Sequence, residues 1–302
     1  MTVRRTLPQR ARSFIGAWCF LDHYGPDDVS LTGGMVVPPH PHTGLATVSW
    51  LFSGQIEHRD SLGTHALVRP GELNLMTAGR GIVHSEYSTP TTTLLHGAQL
   101  WVALPDAHRD TAPAFTHHAP TPFTLPGATV RVFLGSLAGT TSPVPWFTPL
   151  LGAELVLDPG AHLVLDVDPG FEHGVLVDTG TVEVAGTPGR TGELLYVAPG
   201  ETGLVLDAGP SGARVLLLGG EPLGERIVMW WNFLGRSHED VVAARAAWQA
   251  GIGAQADEDS VGGAVVPDHV PVGSSRFAPV PDDPHAPLPA PVLPPIRLVP
   301  RG

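Results

Sequence analysis

Two short motifs in the first third of the chain carry residues that can hold a metal ion: His40-Pro41-His42 and His84-Ser85-Glu86. In a β-strand, residues two apart point to the same face. On neighbouring strands of a barrel, the motifs would bring His40, His42, His84 and Glu86 around one point. This donor set of intermediate hardness suits Fe(II), Mn(II), Ni(II) or Cu(II). An octahedral ion would keep two positions for water, O2 or substrate.

The specificity of these motifs lies in their combination. The chain contains 15 histidines, so one His-x-His pair can arise by chance, whereas a pair of such motifs separated by a hairpin is more specific. No thiolate takes part, which argues against a closed structural zinc site. Candidates to accept the remaining imidazole N–H groups are Asp60, Gln99 and Ser85, although ordinary turn or strand roles are the stronger expectation. His58 and Arg59 either line the mouth of the site or are solvated.

Alternating apolar and polar residues predict the strands that position these motifs. Residues 47–52, a Ser53-Gly54 turn and residues 55–58 indicate a β-hairpin. The second half repeats the order, since residues 178–183 parallel 52–57 and residues 190–194 parallel 69–73. A chain rich in Gly and Pro, yet 42% hydrophobic, is typical of many short strands joined by tight turns. We therefore predict an all-β protein with two related barrels, a class that includes the cupin jelly rolls.

The second barrel is expected to lack the metal ligands of the first. Aligning Gly54 with Gly180, and Arg69 with Arg190, gives the counterparts of the four predicted ligands. These are Asp166, Asp168, Val205 and Asp207. Three aspartates could hold a hard ion such as Ca(II) or Mg(II), but turn and edge positions are the stronger interpretation.

One helix and a tail complete the expected organisation. Ser237 can cap a helix, with Asp240 three residues later as an imperfect capping box, and Gly251 is a natural stop. The chain then becomes Pro-rich. We place the N-terminal metal-binding domain at residues 1–130, the second barrel plus helix at 131–262, and the tail at 263–302.

Composition excludes several classes of function. The 302 residues carry a formal net charge of -12 and no lysine, which argues against direct binding of DNA or RNA. Cys19 is the single cysteine, so no intramolecular disulfide is possible. The N-terminus lacks the apolar core of a signal peptide, and no apolar run approaches membrane-spanning length. We expect a soluble, cytoplasmic and monomeric protein, and the exclusive use of arginine suggests a GC-rich bacterial genome.

Several sequence blocks resemble the signature blocks of the pirin family. The blocks with this resemblance are 20–26, 40–44, 57–63, 76–86, 99–105, 231–237 and 288–294. The run Met-Thr-Ala-Gly-Arg-Gly-Ile-Val-His-Ser-Glu at 76–86 is the most specific. The resemblance implies a bicupin fold with Fe(II) in the first barrel, for which Mn, Ni, Cu or Zn could substitute. It implies the same four ligands as the spacing, and a C-terminal tail that crosses back over the first domain.

The resemblance also implies two different functions. Some pirins resemble quercetin 2,3-dioxygenases, which cleave a flavonol ring with loss of CO. On that hypothesis Glu86 accepts the proton of the 3-hydroxyl group, and the small aromatic substrate packs against apolar walls. The candidate wall residues are Phe52, Leu75, Met76 and Trp101, for which an ordinary core role is equally expected. Alternatively, the protein is a non-enzymatic redox-sensing regulator that acts through a protein partner. A structural metal in a binding module is the least favoured hypothesis.

Overall fold

A computed structural model of the chain describes residues 1–253 and 276–302. Within these ranges the elements are β-strands, one short 3-10 turn and one α-helix near the C-terminal end. The predicted all-β class is therefore confirmed. The predicted start of the tail at residue 263 lies outside the described residues.

Ten strands build the first barrel as two antiparallel sheets. They are β1 (Val3–Leu7), β2 (Trp18–Asp28), β3 (Val36–His42), β4 (Leu45–Ser53), β5 (Ile56–Asp60), β6 (His65–Val68), β7 (Leu73–Thr77), β8 (Ile82–Ser88), β9 (Leu94–Ala103) and β10 (Ala114–His118). One sheet has the order β1-β2-β9-β4-β7-β10, and the other has the order β3-β8-β5-β6. The second sheet carries both metal-binding motifs, because β3 and β8 are neighbours.

Ten further strands build the second barrel and its connections. They are β11 (Phe123–Leu125), β12 (Ala128–Leu134), β13 (Ser136–Leu137), β14 (Thr140–Thr141), β15 (Leu150–Leu157), β16 (His162–Asp166), β17 (Glu172–Val184), β18 (Thr187–Arg190), β19 (Leu194–Val197) and β20 (Gly203–Gly220). The main order is β11-β12-β15-β20-β17-β18, with β16 on β20 and β19 on β17. In the first barrel β4 pairs with β9 and β5 pairs with β8. In the second barrel the long strand β17 corresponds to β4 and β5 together, and it pairs with the long strand β20, which corresponds to β8 and β9. The internal repeat of the sequence is therefore also a repeat of strand pairing.

Strand register corrects the predicted counterparts of the metal ligands. In the first barrel His84 lies opposite His40, and Glu86 lies opposite His58. The equivalent pairs of the second barrel are Leu204 with Leu165 and Leu206 with Val184, and all four side chains are buried. The inward positions are therefore one residue away from those that we predicted. Asp166 and Asp168 are exposed, which agrees with the turn interpretation, whereas Asp207 lies between β16 and β17 and pairs with the exposed His162 at 2.6 Å.

The two barrels share one apolar core. Trp18, Trp50 and Leu100 of the first barrel pack with Phe133 and Leu216 of the second. The rings of Trp50 and Phe133 lie 4.5 Å apart, centre to centre. Residue 152 has to be glycine beneath the Phe133 ring, because a Cβ on Gly152 would lie 2.2 Å from a carbon of that ring. Burial of this much aromatic surface makes the contact between the barrels a continuous hydrophobic interface.

A buried polar cluster lies beside this core. Asp178 of β17 receives hydrogen bonds at Oδ1 from Nε2 of His23 on β2, at 2.8 Å, and from Nε2 of His96 on β9, at 2.7 Å. Its Oδ2 pairs with Arg214 of β20. The Asp178 side chain is fully buried, and its carboxylate is stabilised by hydrogen bonds from the first barrel and by Arg214 of the second.

The helix packs against the first barrel. Two short strands, β21 (Val228–Trp230) and β22 (Phe233–Gly235), lead into α1 (His238–Gly251). Both hydrogen bonds of the predicted capping box between Ser237 and Asp240 are present. The buried face of α1, with Val241 and Trp248, packs in one cluster with Val83 of β8. The helix thus follows the second barrel in sequence, while its apolar face packs with β21, β22 and Val83 of the first barrel.

The described part of the tail runs along the outer face of the first barrel. The backbone N–H of Leu288 donates to the Pro39 carbonyl at 2.8 Å. Asp283 accepts hydrogen bonds from the hydroxyl groups of Ser85 and Tyr87 on β8. Trp248 of α1 donates from Nε1 to the carbonyl of Leu288 at 2.9 Å. These bonds connect residues 276–302 to β3, to α1 and to the outer face of β8, the strand that carries His84 and Glu86.

Candidate metal centre

Three histidines of the predicted set converge inside the first barrel. The ring centres of His40, His42 and His84 lie 4.4–5.0 Å from one another. The Nε2 atoms of His42 and His84 are 3.1 Å apart. Two lone pairs at this distance repel unless a proton or a cation lies between them, so the three imidazoles form a ready donor set for a cation.

The Pro38 carbonyl orients one of these rings. It lies 2.9 Å from Nδ1 of His40, so Nδ1–H donates to it and the Nε2 lone pair of His40 is left for a ligand role. Motif reasoning names Asp60, Gln99 and Ser85 as candidate acceptors for such N–H groups. A backbone carbonyl two residues away is a partner that composition and motif spacing do not reveal.

Glu86 lies beside the histidines and is 6% exposed. The Ser49 hydroxyl is 3.1 Å from Oε1 of Glu86 and 2.9 Å from Oε1 of Gln99, and its single proton serves one of the two. Gln99 therefore contacts the site through Ser49 and through a hydrogen bond to Glu86, rather than through an imidazole.

Burial sets the protonation of this site. Desolvation lowers the pKa of His40 to about 4 and holds the pKa values of His42 and His84 well below their ordinary value. Desolvation raises the pKa of the Glu86 carboxyl. The three imidazoles are therefore neutral near pH 7, which is the form that binds metals. A buried carboxylate beside them gains most from a cation, since no Arg pairs with Glu86 within the described part of the chain.

His58 is a buried neighbour of this site that motif reasoning left unresolved. It is 2% exposed, and one of its ring nitrogens lies within 4.8 Å of a ring nitrogen of His84 and of a carboxylate oxygen of Glu86. Its Nε2 is 3.2 Å from Oδ2 of Asp60, and its ring stacks on Phe115. The alternation of β5, in which residues 56, 58 and 60 are buried and residues 57 and 59 are partly exposed, is the signal that could have placed it.

Two other residues considered as neighbours face away from the centre. Ser85 points outward from β8 to Asp283 of the tail. Arg59 pairs with Glu57 and reaches the Asp282 carbonyl. Both lie on the outer face because they alternate with inward residues of the same strands.

The four predicted wall residues separate into two pairs. The Trp101 ring lies 5.2 Å from that of His42, and Met76 packs in the same cluster as Trp101. Phe52 and Leu75 instead belong to the core shared by the two barrels. The structure therefore places Trp101 beside His42, with Met76 in the same apolar cluster, and leaves Phe52 and Leu75 on the opposite face of the same sheet.

No helix within residues 1–253 and 276–302 is long and apolar enough to span a membrane.

Comparisons with known proteins identify relatives along most of the chain. One family model described as pirin matches residues 1–102, and another described as the pirin C-terminal cupin domain matches residues 152–253. A Pseudomonas aeruginosa protein provisionally named as a quercetin 2,3-dioxygenase is 49% identical over 252 residues, or 83% of this chain and 80% of the relative. A pirin-like protein of Caulobacter vibrioides is 39% identical over 82% of this chain and 88% of the relative. The crystal structure of a quercetin 2,3-dioxygenase from Acinetobacter baumannii matches with a TM-score of 0.86 at 37% identity, covering 98% of this chain and 92% of that one.

Proposed function

Because this chain belongs to the pirin family, we propose that it binds one Fe(II) ion in its first barrel through His40, His42, His84 and Glu86. The observation that carries the proposal is the 3.1 Å approach of two imidazole Nε2 atoms beside a buried carboxylate, which pairs with no Arg among the described residues. Three neutral nitrogens and one oxygen fit a divalent ion of intermediate hardness. Mn, Ni, Cu or Zn would fit the same donors.

We further propose that the centre acts on a flavonol-like aromatic substrate as a dioxygenase. The names of relatives in Pseudomonas aeruginosa and Acinetobacter baumannii support this substrate class. When bound, the metal supplies Lewis acidity and a template for the oxygen of the substrate hydroxyl. The remaining roles in the proposed reaction belong to side chains of this chain.

The side chains around the centre have distinct roles in this proposal. Glu86 accepts the hydroxyl proton of the substrate at a carboxylate oxygen, since burial raises the pKa of its carboxyl group and favours protonation there. Ser49 orients that carboxylate through its hydroxyl. Trp101 and Met76 provide an apolar wall beside His42, where a planar ring can pack while water is excluded.

The test is oxygen consumption by protein loaded anaerobically with Fe(II), measured on addition of quercetin together with CO release. We expect one metal ion per chain and steady O2 uptake with stoichiometric CO. His84→Ala should lose both the bound metal ion and the O2 uptake, because the substitution removes one of the three ligand nitrogens. His162→Ala is the matched control, since His162 is exposed on the second barrel and should leave both measurements unchanged.

The outcomes separate the two functions that the resemblance implies. Metal binding without O2 uptake above the metal-free control would contradict the dioxygenase and leave the redox-sensing regulator. Failure of the wild-type chain to retain any divalent ion, with His84→Ala indistinguishable from it, would overturn the metal centre itself.

A further inference from the structure

A cavity of about 440 Å³ lies in the second barrel, distinct from the centre of the first. Its apolar lining includes Leu137, Val144, Leu151 and Phe171. Its polar lining includes the indole of Trp146 from the loop before β15, and His173 at the start of β17. The volume is within the usual range for small-molecule sites.

Four polar atoms of the lining residues are buried without a hydrogen-bond partner among the described residues. They are Nε1 of Trp146, Oγ1 of Thr148 and both ring nitrogens of His173. The His173 side chain is almost fully enclosed, with the residue 1% exposed. Folded proteins rarely leave buried polar atoms unpaired, because each forfeits its hydration. Their concentration at one cavity indicates that groups outside the chain complete the pairing.

The repeat explains how this space arises. His173 pairs with Gly219 across β17 and β20, as Thr47 pairs with Trp101 across β4 and β9. Gly219 therefore occupies the position equivalent to Trp101, whose indole lies beside the metal centre of the first barrel. The exchange leaves room for an imidazole, because a Cβ on residue 219 would lie 3.1 Å from Cδ2 of His173. The second barrel has leucines at the ligand positions, yet it keeps a cavity with its own polar groups.

The charges of the cavity restrict what it can bind. Asp166 and Asp168 are the charged residues of its lining, and neither Arg nor Lys contributes. Burial lowers the pKa of His173, and the charge of Asp168 only partly opposes this. The imidazole is therefore neutral near pH 7, with one donor and one acceptor. Two carboxylates at the lining repel anions.

We propose that this cavity binds a small, uncharged aromatic molecule that carries a carbonyl or hydroxyl group. The carbonyl or hydroxyl oxygen accepts from Trp146 Nε1–H and from the Thr148 hydroxyl, and His173 pairs with a second polar atom of the ligand. The ring packs against Phe171 and Leu137. This site is independent of the metal centre and needs no metal ion.

Benzamide is a suitable probe, because it is planar and uncharged and carries both a carbonyl acceptor and an amide donor. It is titrated into the full-length, 15N-labelled protein while the indole N–H signals are followed by NMR. The Trp146 signal is assigned with Trp146→Phe. We expect saturable movement of the Trp146 signal, and no movement with benzoate, which has the same shape and a negative charge.

Two shape-conserving variants locate the binding. His173→Phe keeps the ring and removes both nitrogens, and Thr148→Val removes one hydroxyl. Each should weaken benzamide binding about tenfold, as expected for one lost hydrogen bond, while the spectrum remains that of a folded protein. His84→Ala should bind benzamide as the wild type does, because the first barrel plays no part.

Four results would overturn the proposal. The first three are an unmoved Trp146 signal up to the solubility limit of benzamide, equal binding by both shape-conserving variants, and movement confined to the Trp101 signal. The fourth is equal binding of benzoate, since the lining carboxylates should exclude it.

Discussion

At the scale of single residues, the centre of the first barrel is organised to bind a cation rather than to form an ion pair. His40 donates from Nδ1 to the Pro38 carbonyl, and burial keeps the neighbouring imidazoles neutral. Glu86 has a hydroxyl partner but no cationic one in the described part of the chain. Removal of the negative charge of Glu86 should therefore lower metal affinity directly.

The substitution Glu86→Gln should lower metal affinity by more than the roughly 10–100-fold loss that is typical when a residue hydrogen-bonded to a metal ligand is mutated. The change preserves size and removes the charge. Calorimetric titration with Mn(II) measures the effect without oxidation. Glu57→Gln is the matched control, because Glu57 pairs with Arg59 and His65 on the outer face of β5. Unchanged affinity in Glu86→Gln would remove Glu86 from the ligand set.

At the scale of elements, β7 has two buried faces with different roles. Leu75 packs in the core between the barrels, and its neighbour Met76 packs toward Trp101. Both residues are nearly inaccessible, so burial does not distinguish them. Their alternation along the strand does, because successive side chains point to opposite faces.

This difference predicts opposite consequences for neighbouring substitutions. Leu75→Ala should lower the free energy of unfolding by about 2–5 kcal/mol and leave the KM for quercetin unchanged in the metal-loaded protein. Met76→Ala should raise that KM by shortening the wall beside the centre. Urea unfolding and O2-uptake kinetics measure the two effects. A raised KM in Leu75→Ala, with Met76→Ala unaffected, would reverse the assignment of the two faces.

The two faces of strand β8 make different contacts, and Asp283 of the tail binds the outer one. His84 and Glu86 point inward, while Ser85 and Tyr87 donate to the Asp283 carboxylate. Asp283→Asn should weaken this attachment, because hydrogen bonds to a charged acceptor are stronger than those to a neutral one.

We expect faster hydrogen exchange at the Leu288 amide, which bonds the Pro39 carbonyl, in Asp283→Asn. Asp282→Asn is the neighbouring control, since Asp282 contacts Arg59 through its backbone carbonyl. Equal exchange in both variants would show that Asp283 does not hold the tail. Mass spectrometry of exchanged peptides from residues 276–302 provides the measurement.

At the scale of the whole molecule, the two barrels are joined by an apolar core with a buried charge beside it. Burial alone would raise the pKa of Asp178, but hydrogen bonds from His23 and His96 and the charge of Arg214 hold it well below its ordinary value. A carboxyl group whose pKa is depressed in the folded state contributes stability at pH values above its unfolded pKa of about 3.9. That contribution is lost as the pH falls through the folded pKa.

Asp178→Asn should therefore lower the free energy of unfolding near pH 7 by about 3–5 kcal/mol, because Arg214 loses its buried partner. The difference from wild type should be largest above about pH 5 and should shrink below about pH 4, where the wild type begins to lose the same contribution. Urea unfolding across this range measures it. Asp166→Asn, an exposed change in the same barrel, should behave as wild type. A difference independent of pH would contradict the assignment to ionised Asp178.

The sequence by itself determined the family, the all-β class and the repeat of two barrels. It also determined that His40 and His42, and likewise His84 and Glu86, share a face, because period-two spacing is a local property of a strand. The Ser237 cap was predictable for the same reason, since a capping box spans only four residues. Features that depend on neighbours along the chain can be inferred from the order of residues.

Only the tertiary structure decided which face of each strand is the interior. Every residue from 45 to 52 is buried, because one face of β4 points into the barrel and the other packs on the second barrel. Hydrophobic pattern therefore could not separate Phe52 and Leu75 from Trp101 and Met76. Nor could it show that the inward positions of the second barrel are one residue away from the predicted ones, so that Leu165 lies opposite Leu204. The approach of His58 to the centre and the unpaired polar atoms around His173 likewise depend on pairings between residues far apart in the chain.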